Sequence, residues 1–317
     1  MTVNDKVQYK VTSYQTNHVE LINNIWTPTH LSFRSSLATK VVSEYIEIPC
    51  GKCLGCKLDY SSRWADRCLL EMQYHSVSCF LTLTYDDEHV PYNDNGLMTL
   101  RFTDFQKFMK RLRKCISPVK VRYFACSEYG SKSLRPHYHV IIFGWEPPDK
   151  EIIRKGPAGS WYYKSCLLER LWPFGYSLVG DATWKSCAYV ARYVTKKLGS
   201  HAELEDYDLE PERIVMSRKP GLAYQWFHDH PEFVEWNSIP VTLGEDGGKS
   251  IRPPKYFEAK LEEINPELAK QRRLARQEMA KAHKMDYAHF STQQYLDYLK
   301  SREYNLSRRT AALRREL

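Results

Sequence analysis

The chain has little that would carry it into a membrane: among its 317 residues no apolar run approaches the roughly 20 residues needed to span a bilayer. Its opening stretch, Met1–Lys10, has lysines at positions 6 and 10 and no apolar core, which argues against a secretory leader. A paired-cysteine framework is missing as well. The nine cysteines are an odd number, and Cys50, Cys53 and Cys56 crowd into one short segment. That distribution suits a reducing compartment and thiol ligation better than disulfides. A nucleotide-driven motor is also absent. Gly247-Gly248-Lys249-Ser250 imitates the end of a phosphate-binding loop, but Leu243 stands where that loop needs its first glycine, and no strong parallel-strand run precedes it. ATPase and helicase modules are excluded on that ground. No internal repeat is visible.

What remains is an ordinary folding composition, with 43% hydrophobic residues, and a modest excess of base, +8 in net charge. Together they describe a soluble, intracellular protein leaning towards a polyanionic partner. Short strands such as Lys40–Ile48 are expected in the first 49 residues. The turn-rich knot Pro49-Cys50-Gly51-Lys52-Cys53-Leu54-Gly55-Cys56 leads into a helix from Leu58 to about Tyr74. Val77–Tyr85 alternates as a strand, with Leu81, Leu83 and Tyr85 on one face and Thr82 and Thr84 on the other. After a turn at Asn93–Gly96, Phe105, Phe108, Met109 and Leu112 recur at helical spacing within Thr103–Cys115. Val119–Glu128 and His137–Gly144 read as antiparallel neighbouring strands. A helix over Trp161–Leu171, a strand at Tyr176–Val179 and a helix from Thr183 to Leu198 follow. This order predicts an α+β fold, a central antiparallel sheet with packed helices. Beyond it, residues 201–255 read as a loop-rich connection and 256–317 as a basic helical region, while 1–75 form an N-terminal segment with the cysteine knot.

Chemistry enters at Arg135-Pro136-His137-Tyr138-His139-Val140-Ile141-Ile142-Phe143-Gly144. In a strand with a side-chain period of two, His137 and His139 leave the same face, about 6.5–7 Å apart along the chain, where one cation can bridge them. Glu128 closes the preceding strand. Two imidazoles and a carboxylate form a mixed nitrogen and oxygen set for Mg²⁺, Mn²⁺ or another divalent ion. The plainer alternative is a pair of half-exposed histidines beside a surface acid.

The second constellation is Ala188-Tyr189-Val190-Ala191-Arg192-Tyr193-Val194-Thr195-Lys196-Lys197. Tyr189 and Tyr193 are one helical turn apart. An aromatic stripe of this kind ordinarily packs into a core, but here Cys187, Val190, Ala191, Val194 and Leu198 already supply the apolar face. The tyrosines, with Lys196 and Arg192, lie off its centre. Phenols beside cations are candidate nucleophiles towards a metal-polarised phosphate.

A metal-binding His-x-His strand followed by a Tyr/Lys helix resembles the HUH endonucleases that initiate rolling-circle replication. The details resemble the replication initiators of small single-stranded DNA phages, the microviruses and their gokushovirus group. The matching pieces are FLTLTYDD at Phe80–Asp87, SEYG, RPHYHVIIFG, GYSLVGDATW, YVARYVTKK, MSRKPGLAYQWF at Met216–Phe227, and the knot PCGKCLGC. The resemblance spans roughly residues 49–230 and implies an HUH endonuclease domain over 76–200 with a ferredoxin- or RRM-like palm. It implies that Glu128, His137 and His139 hold one Mg²⁺ or Mn²⁺. One tyrosine would cut origin DNA, leaving a 5′-phosphotyrosyl link and a 3′-OH. The other would act in the closing round. It further implies single-stranded origin DNA as substrate, a host polymerase and helicase as partners, and the host bacterial cytoplasm as the place of action. Lys196 stands three residues after Tyr193, as the family's motif lysine does, whereas Tyr189 has Arg192 at that offset.

Cys50, Cys53 and Cys56 have chelate spacing for a structural Zn²⁺ with Cys68 or His75 as fourth ligand; reduced buried thiols are the equal alternative. Basic clusters at Lys270–Arg276 and Arg308–Arg315, interleaved with tyrosines, suit single-stranded DNA. Two other classes stay open at this level: a cupin-like non-haem metal enzyme and a non-catalytic single-strand binder. A cupin wants a glutamate four or five residues after the second histidine, and the first acid after His139 is Glu146.

Overall fold

A computed structural model of the chain describes residues 2–3, 8–10, 14–22, 25–32, 40–42, 47–49, 53–130, 133–155, 160–196, 208–236, 238–243, 247–285 and 290–313. It divides into two compact units, one of Met1–Lys57 with Tyr287–Arg315 and the other built on Leu58–Asp286.

The first unit carries short strands. β1 (Thr2–Val3), β2 (Gln8–Lys10) and β6 (Glu47–Pro49) form one antiparallel sheet, and β4 (Ile25–Ser32), β3 (Tyr14–Ile22) and β5 (Lys40–Val42) another. The expected strand over Lys40–Ile48 is thus two strands, each pairing in a different sheet.

The second unit is organised by a seven-stranded antiparallel sheet. Its strands are β7 (Ser78–Tyr85), β8 (Arg122–Tyr129), β9 (Pro136–Phe143), β10 (Glu151–Lys155), β11 (Trp161–Lys164), β12 (Gly175–Asp181) and β13 (Ile214–Met216), in the order β10-β11-β12-β7-β9-β8-β13. The α+β expectation holds, with an antiparallel sheet under packed helices. Alternation decides which face each residue takes. Leu81, Leu83 and Tyr85 of β7, Tyr138, Val140 and Ile142 of β9 and Ala125 of β8 share one face. They pack with Phe105, Phe108, Met109 and Leu112 of α2 (Phe102–Cys115) and with Leu168, Leu171 and Trp172 at α3 (Cys166–Leu171). On the other face, Phe124, Cys126, Ile141 and Phe143 lie beneath α1 (Leu54–Met72) and α4 (Trp184–Lys196), through Ala65, Cys68, Cys187, Ala188, Val190 and Ala191.

Three segments depart from expectation. The predicted helix over Trp161–Leu171 is helical only from Cys166, where the Ser165 hydroxyl caps it by accepting the Leu168 N–H at 3.0 Å. Trp161–Lys164 is instead a strand, hairpin-paired with β10. Aromatic residues favour strands, and this pairing outweighs any helical period. Within 201–255, expected to be loop, Ile214–Met216 adds an edge strand to β8. The same region supplies α5 (Tyr224–Asp229) and a hairpin of β14 (Ile239–Thr242) and β15 (Gly248–Ile251). With α6 (Lys255–Ile264), these build a second core of Trp226, Phe227, Phe233, Ile239, Val241, Ile251, Phe257 and Leu261 against Leu69 and Leu70 of α1. The C-terminal region is helical as expected, in α6, α7 (Pro266–Met285) and α8 (Thr292–Leu313). Among the described residues no helix is long and apolar enough to cross a membrane.

Candidate active site

The β8–β9 register places Glu128 directly opposite His137, and the β7–β9 register places Thr82 opposite His139. All four therefore project from the α1/α4 face. His137 Nε2 lies 2.5 Å from Glu128 Oε1, and His139 Nε2 lies 3.3 Å from the same oxygen. The far ring nitrogens are already committed. His137 Nδ1–H donates to the Arg135 carbonyl at 3.0 Å, and His139 Nδ1 shares a hydrogen bond with Thr82 Oγ1 at 3.0 Å. Such partners hold each ring with Nε2 pointing inwards, the arrangement a metal-ligating imidazole needs. Phe80 stacks on His139 with centroids 5.6 Å apart and fixes its tilt from the side.

Among the described residues, Glu128, His137 and His139 are the group of histidine, cysteine or acidic side chains able to hold a metal, their ligand atoms all within 4.8 Å of one another. Glu128 and His139 are each only 3% exposed. Glu128 Oε2 is buried without a hydrogen-bond partner, which is costly for a carboxylate unless a cation answers it. The donor set fits Mg²⁺ or Mn²⁺, with positions left for substrate oxygens. Charge distribution agrees. Burial pushes the Glu128 carboxyl upwards, but hydrogen bonds from His137 and His139 outweigh it and hold the group below its ordinary value. For His137, burial pushes downwards, and the bond to Glu128 outweighs it and raises the imidazole above its ordinary value.

Tyr189 completes the cluster. The buried stripe of α4, Cys187, Ala188, Val190 and Ala191, faces the sheet. This leaves Tyr189 half-buried at the edge, its hydroxyl 3.4 Å from His139 Nε2 and its ring edge-on to His139 at 4.9 Å. By contrast, burial pushes the phenols of Tyr85 and Tyr138 on the opposite face far up, keeping them protonated. Arg192 is half-buried one turn after Tyr189. Tyr193 and Lys196 lie on the α4 backbone, and their side chains fall outside the described residues.

The thiol expectations fare differently. Cys50 lies outside the described residues. The Cys56 N–H donates to Cys53 Sγ at 3.4 Å, so Cys53 satisfies a free amide at the start of α1. Neither expected fourth ligand is directed at a zinc site. Cys68 is buried with its sulfur hydrogen-bonded to Cys187 between α1 and α4, and His75 Nε2 is 3.0 Å from Glu71 Oε1. In the basic stretch Lys270–Arg276, Arg272 and Arg276 both reach Glu258, and Arg273 reaches Glu262. Much of that charge is answered within α6 and α7. Sequence reasoning missed Thr82 and Phe80 as supports of His139. Their signal was the β7 alternation, which places them on the His-x-His face.

Comparison with known proteins places this geometry in a lineage. A family model described as replication-associated protein ORF2 matches residues 78–198, the span from β7 through α4. Replication-associated protein ORF2 of Spiroplasma virus 4 is 33% identical over 282 residues, covering 85% of this chain and 85% of that protein. The chain belongs to the microvirus-type replication-associated proteins. A further relative of this replication-associated protein is VP4 of Bdellovibrio phage phiMH2K, 30% identical over 82% of this chain and 83% of that one. Replication-associated protein ORF4 of Chlamydia phage 1 is 30% identical over 68% of this chain and 54% of that one. No solved structure matches the chain. The resemblance read from HYH and YVARY therefore holds at the level of family.

Proposed function

We propose that this replication-associated protein initiates rolling-circle replication by nicking and rejoining single-stranded origin DNA through tyrosine transesterification. The observation that carries the reading is the Tyr189 hydroxyl, 3.4 Å from His139 Nε2 at the edge of the Glu128–His137–His139 group. A nucleophile and a hard-metal donor set in contact suit phosphoryl transfer, and a cupin-like enzyme has no use for the tyrosines.

A divalent ion held by Glu128, His137 and His139 supplies a Lewis acid that withdraws charge from a non-bridging phosphate oxygen. Glu128 and the histidines orient the scissile phosphate beside α4. The phenol, ordinarily protonated with a pKa near 10, loses its proton as its oxygen bonds to phosphorus. The P–O3′ bond breaks, and the 3′ oxygen leaves as a hydroxyl. One phosphoester replaces another, so no nucleotide triphosphate is consumed. The product is a 5′-phosphotyrosyl link and a 3′-OH for a host polymerase, with unwinding left to a host helicase. Tyr193, one turn along α4, cleaves the regenerated origin in the closing round. The freed 3′-OH then attacks the first phosphotyrosine, releases the phenol and closes a circle. Lys196 and Arg192 neutralise charge at the two phenols.

The test is an adduct surviving SDS after incubation with Mn²⁺ and an origin-bearing single-stranded oligonucleotide. Wild-type protein should form it, and the double variant Tyr189→Phe, Tyr193→Phe should not. Labelling that persists in the double variant, or its absence in wild type with every origin-bearing substrate, would overturn the reading.

A further inference from the structure

The helices α1 and α4 cover only part of the face that carries the metal ligands. They bury Phe124, Cys126, Ile141 and Phe143 on β8 and β9. Beyond β9 the same face continues across β7, β12, β11 and β10, and there the described residues are half-buried or exposed apart from Gly180. Register shows what this uncovered half presents. Glu128 pairs with His137, His137 with Thr84, and Thr84 with Tyr176. The four form one row across the sheet, and Tyr176 is 71% exposed. At about 4.8 Å between neighbouring strands, its ring stands about two strand spacings from His137. A parallel row runs outward from His139. Phe80 stacks on that histidine, Gly180 lies opposite Phe80, and Tyr162 passes within 3.8 Å of where a Gly180 Cβ would be. Arg154 pairs with Tyr162 and lies over its ring at 5.6 Å. Gly180 thus keeps the path from Phe80 to Tyr162 clear of any side chain.

We infer that this open half-face is a single-stranded DNA platform, on which Tyr176 stacks against a base flanking the scissile phosphate and Tyr162 with Arg154 holds the strand further out. The occupant follows from the chemistry. Exposed aromatic faces, the hydroxyls of Thr82 and Thr84 and a cation at the outer end match the bases and phosphates of an unpaired strand. A protein partner would call for a larger contiguous apolar patch. Lys164, on the same face, is paired with Glu151 at 3.0 Å, an exposed contact that a phosphate can replace. The surface is also continuous with the metal ligands through unbroken strand register, so a strand lying on it delivers its phosphate to His137 without crossing a helix. This inference rests on the nicking reading for which phosphate is cut, but not for whether the face binds DNA.

The experiment separates the two. Fluorescence anisotropy of the full chain with a dye-labelled single-stranded origin oligonucleotide, in EDTA, reads binding without cleavage. Tyr176→Ala should weaken affinity about tenfold, the loss of one stacked base, and Tyr176→Trp should retain it. Trp161, 41% exposed on the opposite face of the same hairpin, provides the control, and Trp161→Ala should change affinity by less than about twofold. Loss of less than about twofold in Tyr176→Ala, an equal loss in Trp161→Ala, or no binding by wild type each overturns the platform. If binding depends on Tyr176 yet wild type forms no Mn²⁺-dependent adduct, the platform stands and the nicking reading falls.

Discussion

Tyr138 and His139 are neighbours on β9, yet one is sealed beneath α2 and the other faces Tyr189. The contrast extends along three strands. On the α2/α3 face, Leu81, Leu83, Val140 and Ile142 are completely buried. On the opposite face of the same strands stand Thr82, Thr84, His137, His139 and Glu128, in register with one another. The strand period of two lets one chain segment hold the fold together and present chemistry with no residue serving both. It also makes the ligands rigid, since each histidine is flanked in sequence by residues packed into the core.

Substitutions on the two faces should therefore move different observables. Ile142→Ala, on the apolar face, should cost about 2–5 kcal/mol of unfolding free energy in chemical denaturation, with Mn²⁺ affinity of the folded protein little changed. His137→Ala, on the polar face of the same strand, should do the reverse. It should lower Mn²⁺ affinity at least about 100-fold, since even losing a partner of a ligand costs 10–100-fold. Its denaturation midpoint in EDTA should move far less than that of Ile142→Ala. Comparable unfolding losses in both variants would erase the division between the faces.

The smallest expected effect is a pH dependence confined to the polar face. In the metal-free protein, the His137 contribution to stability is complete below the ordinary histidine value and is lost as pH rises through its raised folded value. The Glu128 contribution is complete above the ordinary carboxylate value and is lost as pH falls through its lowered folded value. Between those limits the pair is charged, and ligation must displace the His137 proton. Calorimetric Mn²⁺ affinity should therefore climb about tenfold per pH unit below the His137 value and level off above it. A flat profile through that range would remove His137 from the ligand set.

Much of this was legible in local pattern. The alternation of FLTLTY and HYHVIIF separates core from site without any tertiary information, and the period of Phe105, Phe108, Met109 and Leu112 marks the buried face of α2. The wheel of α4 also set Tyr189 apart from the apolar stripe. Other features depended on distant partners. Trp161–Lys164 is a strand because Glu151–Lys155 pairs with it. Ile214–Met216 is too short to show a period and becomes a strand only against Phe124, Ala125 and Cys126. Cys68 looked available for a metal until Cys187, far along the chain, came to face it.

The sequence by itself determined the two-faced strands, the like-facing histidines and the off-stripe tyrosine, because side-chain direction follows from the periods of strand and helix. Only the tertiary structure decided that Glu128 closes on both histidines, that Tyr189 meets His139, and that α1 and α4 leave half of the working face open. Those are contacts between separate segments of the chain, and their geometry depends on how strands register and helices pack rather than on any local repeat.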